Sequence, residues 1–112
     1  MKKPVAGENI QLSKTLGFVR VGVALPALRV ADIDFNVEGI ITSMGKAGEQ
    51  DVQILAFPEM SITGYTLGDL VQHQALLTKA EQGLSEVLDK SAKSTMVVIV
   101  GMPLVVEQKL FN

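Results

Sequence analysis

Cysteine is absent from all 112 residues of the chain. That rules out a disulfide framework and any thiolate metal site, and it suits a reducing compartment. A basic cluster is missing as well. Ten Lys and Arg are scattered among twelve Asp and Glu, for a formal net charge of −2. Phosphate neutralisation needs clustered cations, so no nucleic-acid partner is expected. Long apolar runs are also lacking. The longest, Met96 to Val106, is broken by Gly101 and Pro103 and reaches roughly half of the ~20 residues a membrane-spanning helix needs. Lys2 and Lys3 resemble the start of a secretory signal, but Pro4 to Ser13 is too polar to continue it. The expected location is therefore cytoplasmic, with no membrane partner. Gly and Pro are near their average share and no internal repeat is present, which leaves disorder and collagen-like structure without support.

What the chain does contain is an α/β pattern. Residues 1–17 carry no clear period and are expected to form a leader or flexible extension. Val19 to Leu25 alternates β-branched residues with small or polar ones, a strand that Pro26 stops. Val37, Ile40, Ile41, Met44 and Ala47 then fall on one face of a helix. Asp34 is placed to cap that helix and Gly48 to end it. Gly39 and Gly45 weaken it, so their expected use is close approach to a neighbouring backbone. Val52 to Phe57 reads as a nearly all-apolar strand of a parallel sheet, stopped by Pro58. From Glu59 to Asp69 the residues turn polar, indicating an irregular loop or single helical turn. In a second, long helix Leu77, Ala80, Leu84, Val87 and Leu88 share a face, with Glu86–Lys90 and Asp89–Lys93 pairs outside. Met96 to Gly101 closes the series as a third buried strand, which Leu104 to Val106 extends past Pro103. The order is β-α-β-α-β. Three strands with open edges bury a core only marginally, so the expectation is an incomplete piece of a larger domain.

Ligands of open α/β sheets gather at the carboxyl ends of the strands. After the first strand come Pro26 and Ala27, after the third Gly101, Met102 and Pro103, all inert. After the second comes Glu59, beyond a proline at the mouth of the sheet. A carboxylate partly desolvated there would suit general-base work, although strand-end Glu residues more often are solvated or cap a helix. His73 has no second His or Cys at ligand spacing and reads as a surface or helix-start residue. Asp32 and Asp34 make a possible carboxylate pair, but capping explains Asp34 equally well. Gly45-Lys46-Ala47-Gly48 lacks the spacing of a phosphate loop. The methionines read as core filler. Tyr65, the only tyrosine, is either a buried plug or a pocket wall.

Phe57-Pro58-Glu59-Met60-Ser61-Ile62-Thr63-Gly64-Tyr65, following an apolar strand, resembles the first catalytic motif of the nitrilase, or carbon–nitrogen hydrolase, superfamily. Thr66-Leu67-Gly68-Asp69-Leu70 narrows the resemblance to the branch formed by amino-terminal glutaminase domains of glutamine-dependent NAD synthetases. Gly17 to Val21, Val30-Ala31-Asp32, Val100 to Leu104 and Leu110-Phe111-Asn112 agree with it. Val71 departs from it, standing where the branch often has a bulky aromatic.

This resemblance implies part of an αββα sandwich of the nitrilase type and a Glu, Lys and Cys triad, in which Glu59 matches the general base. Tyr65 aligns with an aromatic of the glutamine pocket. Lys109 precedes the Asn that the family's Lys follows, so it is not promoted. Residues 18–112 are then the amino-terminal part of a glutamine amidotransferase domain, truncated before its Lys and Cys and inactive alone. The implied substrates are glutamine and, through a missing carboxyl-terminal domain that uses ATP and Mg, nicotinic acid adenine dinucleotide. No cofactor is implied for this segment, and a homo-oligomer is expected. The alternatives are another amidase of the superfamily or a non-catalytic α/β interaction module.

Overall fold

The computed structural model describes residues 15–112, so most of the expected leader lies outside the described residues. Three short parallel strands form the sheet: β1 (Val21–Val23), β2 (Ile54–Ala56) and β3 (Val97–Ile99), in spatial order β1-β2-β3. They are shorter than their apolar runs. Pairing is limited to the register Val21↔Ile54↔Val97, Gly22↔Leu55↔Val98 and Val23↔Ala56↔Ile99. Helix α1 (Ile33–Glu49) joins β1 to β2, and a 3-10 turn (Gly68–Gln72) followed by helix α2 (Gln74–Ser91) joins β2 to β3. Consecutive parallel strands joined by crossovers of one hand place both helices on one side of the sheet. The two helices accordingly pack on each other.

The buried stripe of α1 is Ile33, Asn36, Val37, Ile40, Met44 and Ala47. That is the expected face extended by one turn at its start, with Ile41 partly buried at its margin. The cap is Asp32 rather than Asp34: Asp32 Oδ1 accepts from Phe35 N at 3.2 Å. Asp34 lies in the first turn and reaches Lys79 of α2 at 2.7 Å. Its hydrogen bond holds the Lys79 ammonium above the usual lysine range. The helix also runs past Gly48 to a C-cap at Gln50.

Helix α2 buries Leu76, Leu77, Ala80, Gly83 and Val87, whereas Leu88, expected on that face, is 64% exposed. The reason is Gly83. A Cβ there would stand 2.8 Å from Ile33 Cγ2 and 2.9 Å from Val37 Cγ2, so its bare backbone lets α1 approach and centres the contact away from Leu88. Gly39 is less tightly approached, an added Cβ standing 3.3 Å from the Pro26 side chain and 3.8 Å from Ala27 O, and nothing lies within 4 Å of Gly45, which therefore serves no close approach. Among the described residues the ion pairs are Arg29–Asp32 and Asp34–Lys79, and the expected Glu86–Lys90 and Asp89–Lys93 pairs are not formed.

The sheet itself is two-faced. Gly22, Ala24, Leu55 and Val98 contribute to the core beneath the helices, joined by Met44, Met60, Met96 and Met102 as filler. On the opposite face Val21, Val23, Val97 and Ile99 are exposed, Val23 by 81%. The third strand is thus half-open rather than buried. Leu104–Val106 does not extend it. It forms β4, paired antiparallel with β5 (Lys109–Phe111) in a separate hairpin. Buried Pro103 carries no N–H to continue a ladder, and Glu107 and Gln108, at φ 49° and 62°, make the tight turn that the right-handed strand twist favours.

Candidate active site

The loop after β2 is built by hydrogen bonds at the carboxyl ends of all three strands. Ala24 N donates to Ala56 O at 3.0 Å, and Phe57 N to Ile99 O at 2.9 Å. Pro58 has no donor, and there the ladder stops. The chain then turns sharply at Met60, whose φ of 55° is left-handed. Its carbonyl accepts from Thr63 N and Gly64 N. Such a conformation costs a non-glycine residue on the order of 1–2 kcal/mol and persists only where surrounding contacts impose it.

Those contacts come from two directions. On the β3 side, Ile62 N donates to Gly101 O and Gly101 N to Ser61 Oγ, both at 3.1 Å. A Cβ on Gly101 would fall 2.5 Å from Met60 N and 3.0 Å from Glu59 Cα, so glycine is required for this approach. On the β1–α1 side, Ala31 N donates to Thr63 O at 2.8 Å. The fully buried Asn36 amide donates to Ile62 O (3.0 Å) and Arg29 O (2.8 Å), while its oxygen accepts from Arg29 N. Gly64, at φ 82°, passes 2.9 Å (measured from an added Cβ) from Val30 Cα.

The outcome is a loop buried almost throughout. Within residues 57–64 only Glu59 is exposed; Pro58 is half-buried and the other six are buried. A charged side chain is thus projected from a rigid base at the strand ends. The side chain is exposed, as strand-end glutamates more often are, so the partial desolvation that would suit general-base work is not supplied by the described residues. Its side-chain partner among the described residues is Asn112, whose Nδ2 donates to Glu59 Oε1.

Other candidates are placed elsewhere. Tyr65 is 68% exposed, so among the described residues it is not the buried plug. His73 is exposed immediately before α2, its N–H donated to Leu70 O. Asp32 is occupied in capping. Lys46, with Gly45 and Gly48, lies within α1, and no group of three or more His, Asp or Glu among the described residues could hold a metal ion. A hollow of about 340 Å³ along β1, lined by residues including Arg20, Ser43 and Lys46, does not involve Glu59. No helix of the described residues is long and apolar enough to cross a membrane. Residue-level reading passed over Asn36, Ser61 and Thr63, all fully buried and hydrogen-bonded. The clue available was a polar Asn on the apolar stripe of α1, one residue before Val37.

Comparison with known proteins agrees with this geometry. The carbon–nitrogen hydrolase family model matches residues 19–112. Glutamine-dependent NAD(+) synthetase of Mycobacterium tuberculosis strain H37Rv is 31% identical over 97 residues, covering 86% of this chain and 14% of that protein. The enzyme of the same name from Aquifex aeolicus is 30% identical over 74 residues, or 66% of this chain and 13% of the relative. Among solved structures, a glutamine-dependent NAD(+) synthetase from Cytophaga hutchinsonii superposes with a TM-score of 0.78 at 26% identity, over 84% of this chain and 16% of that one. The chain therefore spans about one-seventh of the curated relatives it matches. With the motif, the α/β sheet and the family match together, the chain belongs to the carbon–nitrogen hydrolase family.

Proposed function

We propose that these residues belong to the glutaminase part of a glutamine-dependent NAD synthetase, and that Glu59 is its general base. One observation carries the reading: a loop otherwise buried and tied to two neighbouring segments presents a single exposed carboxylate at the carboxyl ends of a parallel sheet. The similarity to NAD(+) synthetases from several bacteria supports the choice of branch.

In this reading the nucleophilic cysteine and supporting lysine lie outside these 112 residues, which contain no cysteine. The Glu59 carboxylate takes the thiol proton, and the thiolate attacks the side-chain amide carbon of glutamine. The C–N bond breaks as that proton passes to the departing nitrogen, leaving a thioester and releasing ammonia. Glu59 then accepts a proton from the water that cleaves the thioester to glutamate and restores the thiol. Tyr65 walls the glutamine pocket once further chain encloses it. The ammonia amidates nicotinic acid adenine dinucleotide in a separate ATP- and Mg-using part of the protein. The cytoplasm is the expected setting.

The test is to assay the full-length protein for NAD formation with glutamine or ammonia as nitrogen source. Synthesis from both, with ammonia released from glutamine, is expected. ATP-independent hydrolysis of an unrelated amide would favour the other amidase reading, and absence of any turnover the interaction module.

A further inference from the structure

We propose that Asn112 is the positioning residue for Glu59, its side-chain amide holding one carboxylate oxygen so that the other is left free to accept the proton. The inference rests on the reading of Glu59 as general base.

The backbone and side chain of Glu59 are restrained by different parts of the fold. Gly101 and Ser61 fix the backbone from the β3 side. That leaves the glutamate's own torsions, of which the last, about the carboxylate, is broad and roughly two-fold. Among the described residues no side-chain hydrogen bond from within the loop restrains this rotation. The stop comes from 53 residues away in sequence, where Asn112 Nδ2 donates to Glu59 Oε1.

The hairpin explains how Asn112 arrives there. Buried Pro103 anchors its first strand beside Gly101, and the Glu107–Gln108 turn reverses the chain. Pairing of Leu104 with Phe111 then brings the second strand back to the level of Pro103, with Asn112 next in line. The hairpin's six strand residues are all exposed. Its evident product is the return of one side chain to the strand ends. The residue type matters too. An amide donates without carrying charge, so it orients the carboxylate without the strong pull an ammonium or guanidinium would exert on its proton affinity. It also stays in one protonation state across the working pH range.

The experiment compares Asn112→Ala, Asn112→Asp and Asn112→Ser with Glu59→Gln in the full-length protein. Glutamine hydrolysis and ammonia-dependent NAD synthesis are both measured. Asn112→Ala should lower kcat for glutamine by about tenfold or more, with KM little changed and the ammonia-dependent rate kept. Asn112→Asp preserves shape but sets an acceptor against an acceptor, so it should fall below Ala. Asn112→Ser, a shorter donor, should recover part of the loss. A filler role predicts the reverse order, Asp above Ala. That order, or a raised KM at unchanged kcat, overturns the proposal while leaving Glu59 as base. Should Ala lose both rates, the Asp and Ser variants carry the comparison. Full glutamine activity in Glu59→Gln would overturn both the base assignment and this inference, and so separates the two failures.

Discussion

The loop that carries Glu59 is tied into the core by a residue outside its own motif. Asn36 fills three hydrogen-bond positions inside the core, two toward the Arg29 backbone and one toward Ile62 O in the loop that carries Glu59. Removing it leaves buried backbone groups without partners, each costing roughly 1–3 kcal/mol. Asn36→Ala should therefore destabilise the domain, and Asn36→Asp more so, because it turns an acceptor toward two carbonyls. Chemical denaturation of the full-length protein should rank them in that order; equal stability of Asp and wild type would refute the network. At this scale the sequence was only partly readable. Glu59 stood out because Pro58 ends a strand directly before it. Ser61 and Thr63 fall in a polar stretch that reads only as an irregular loop or single helical turn, since composition cannot register that Gly101 and the Arg29–Ala31 connector fold over them. Capping reads at Asp34, two residues late, because Asp32 and Asp34 both stand at the helix start and only geometry shows which carboxylate meets Phe35 N.

Among the elements, the helix periodicity and the three parallel strands are legible in the sequence, and the fate of Leu104–Val106 is not. The stripe of α1 followed its 3.6-residue spacing, whereas the face of α2 is centred on a glycine that no hydrophobicity pattern marks. The two glycine environments make opposite predictions. Gly45→Ala adds a methyl in open space on a helix and should stabilise by up to about 1 kcal/mol. Gly83→Ala has the same propensity gain but drives a methyl to within 2.8 Å of Ile33, and overpacking typically costs about 1–3 kcal/mol. Urea midpoints moving in the same direction would contradict the close helix contact. Leu104–Val106 shows the corresponding difficulty for strands. Apolar residues past a proline suggest continuation, yet the Glu107–Gln108 turn offers a partner strand five residues on, and the local hairpin forms instead.

At the scale of the whole molecule, one side of the sheet is covered and the other is not. Val21, Val23, Val97 and Ile99 present an apolar surface, continued by exposed Val19 and Leu25. The large residues of the first strand face away from the helices while Gly22 and Ala24 face toward them. Alternation alone could have oriented that strand either way. The 112-residue chain by itself should hide this face by self-association, giving dimers or larger species in light scattering at micromolar concentration. Val23→Lys with Ile99→Lys should shift it toward monomer. A wild-type monomer with a concentration-independent melt would show the face to be tolerated. Having no cysteine, the same chain should release no ammonia from glutamine. The proposed role of Glu59 is in an ammonia-producing part distinct from the part that consumes ammonia. Its most direct test is NAD synthesis by full-length Glu59→Gln with each nitrogen source in turn. Gln keeps the shape and removes the base, so synthesis from glutamine should vanish while synthesis from added ammonia proceeds at the wild-type rate; equal loss with both sources, or none with either, would contradict the account.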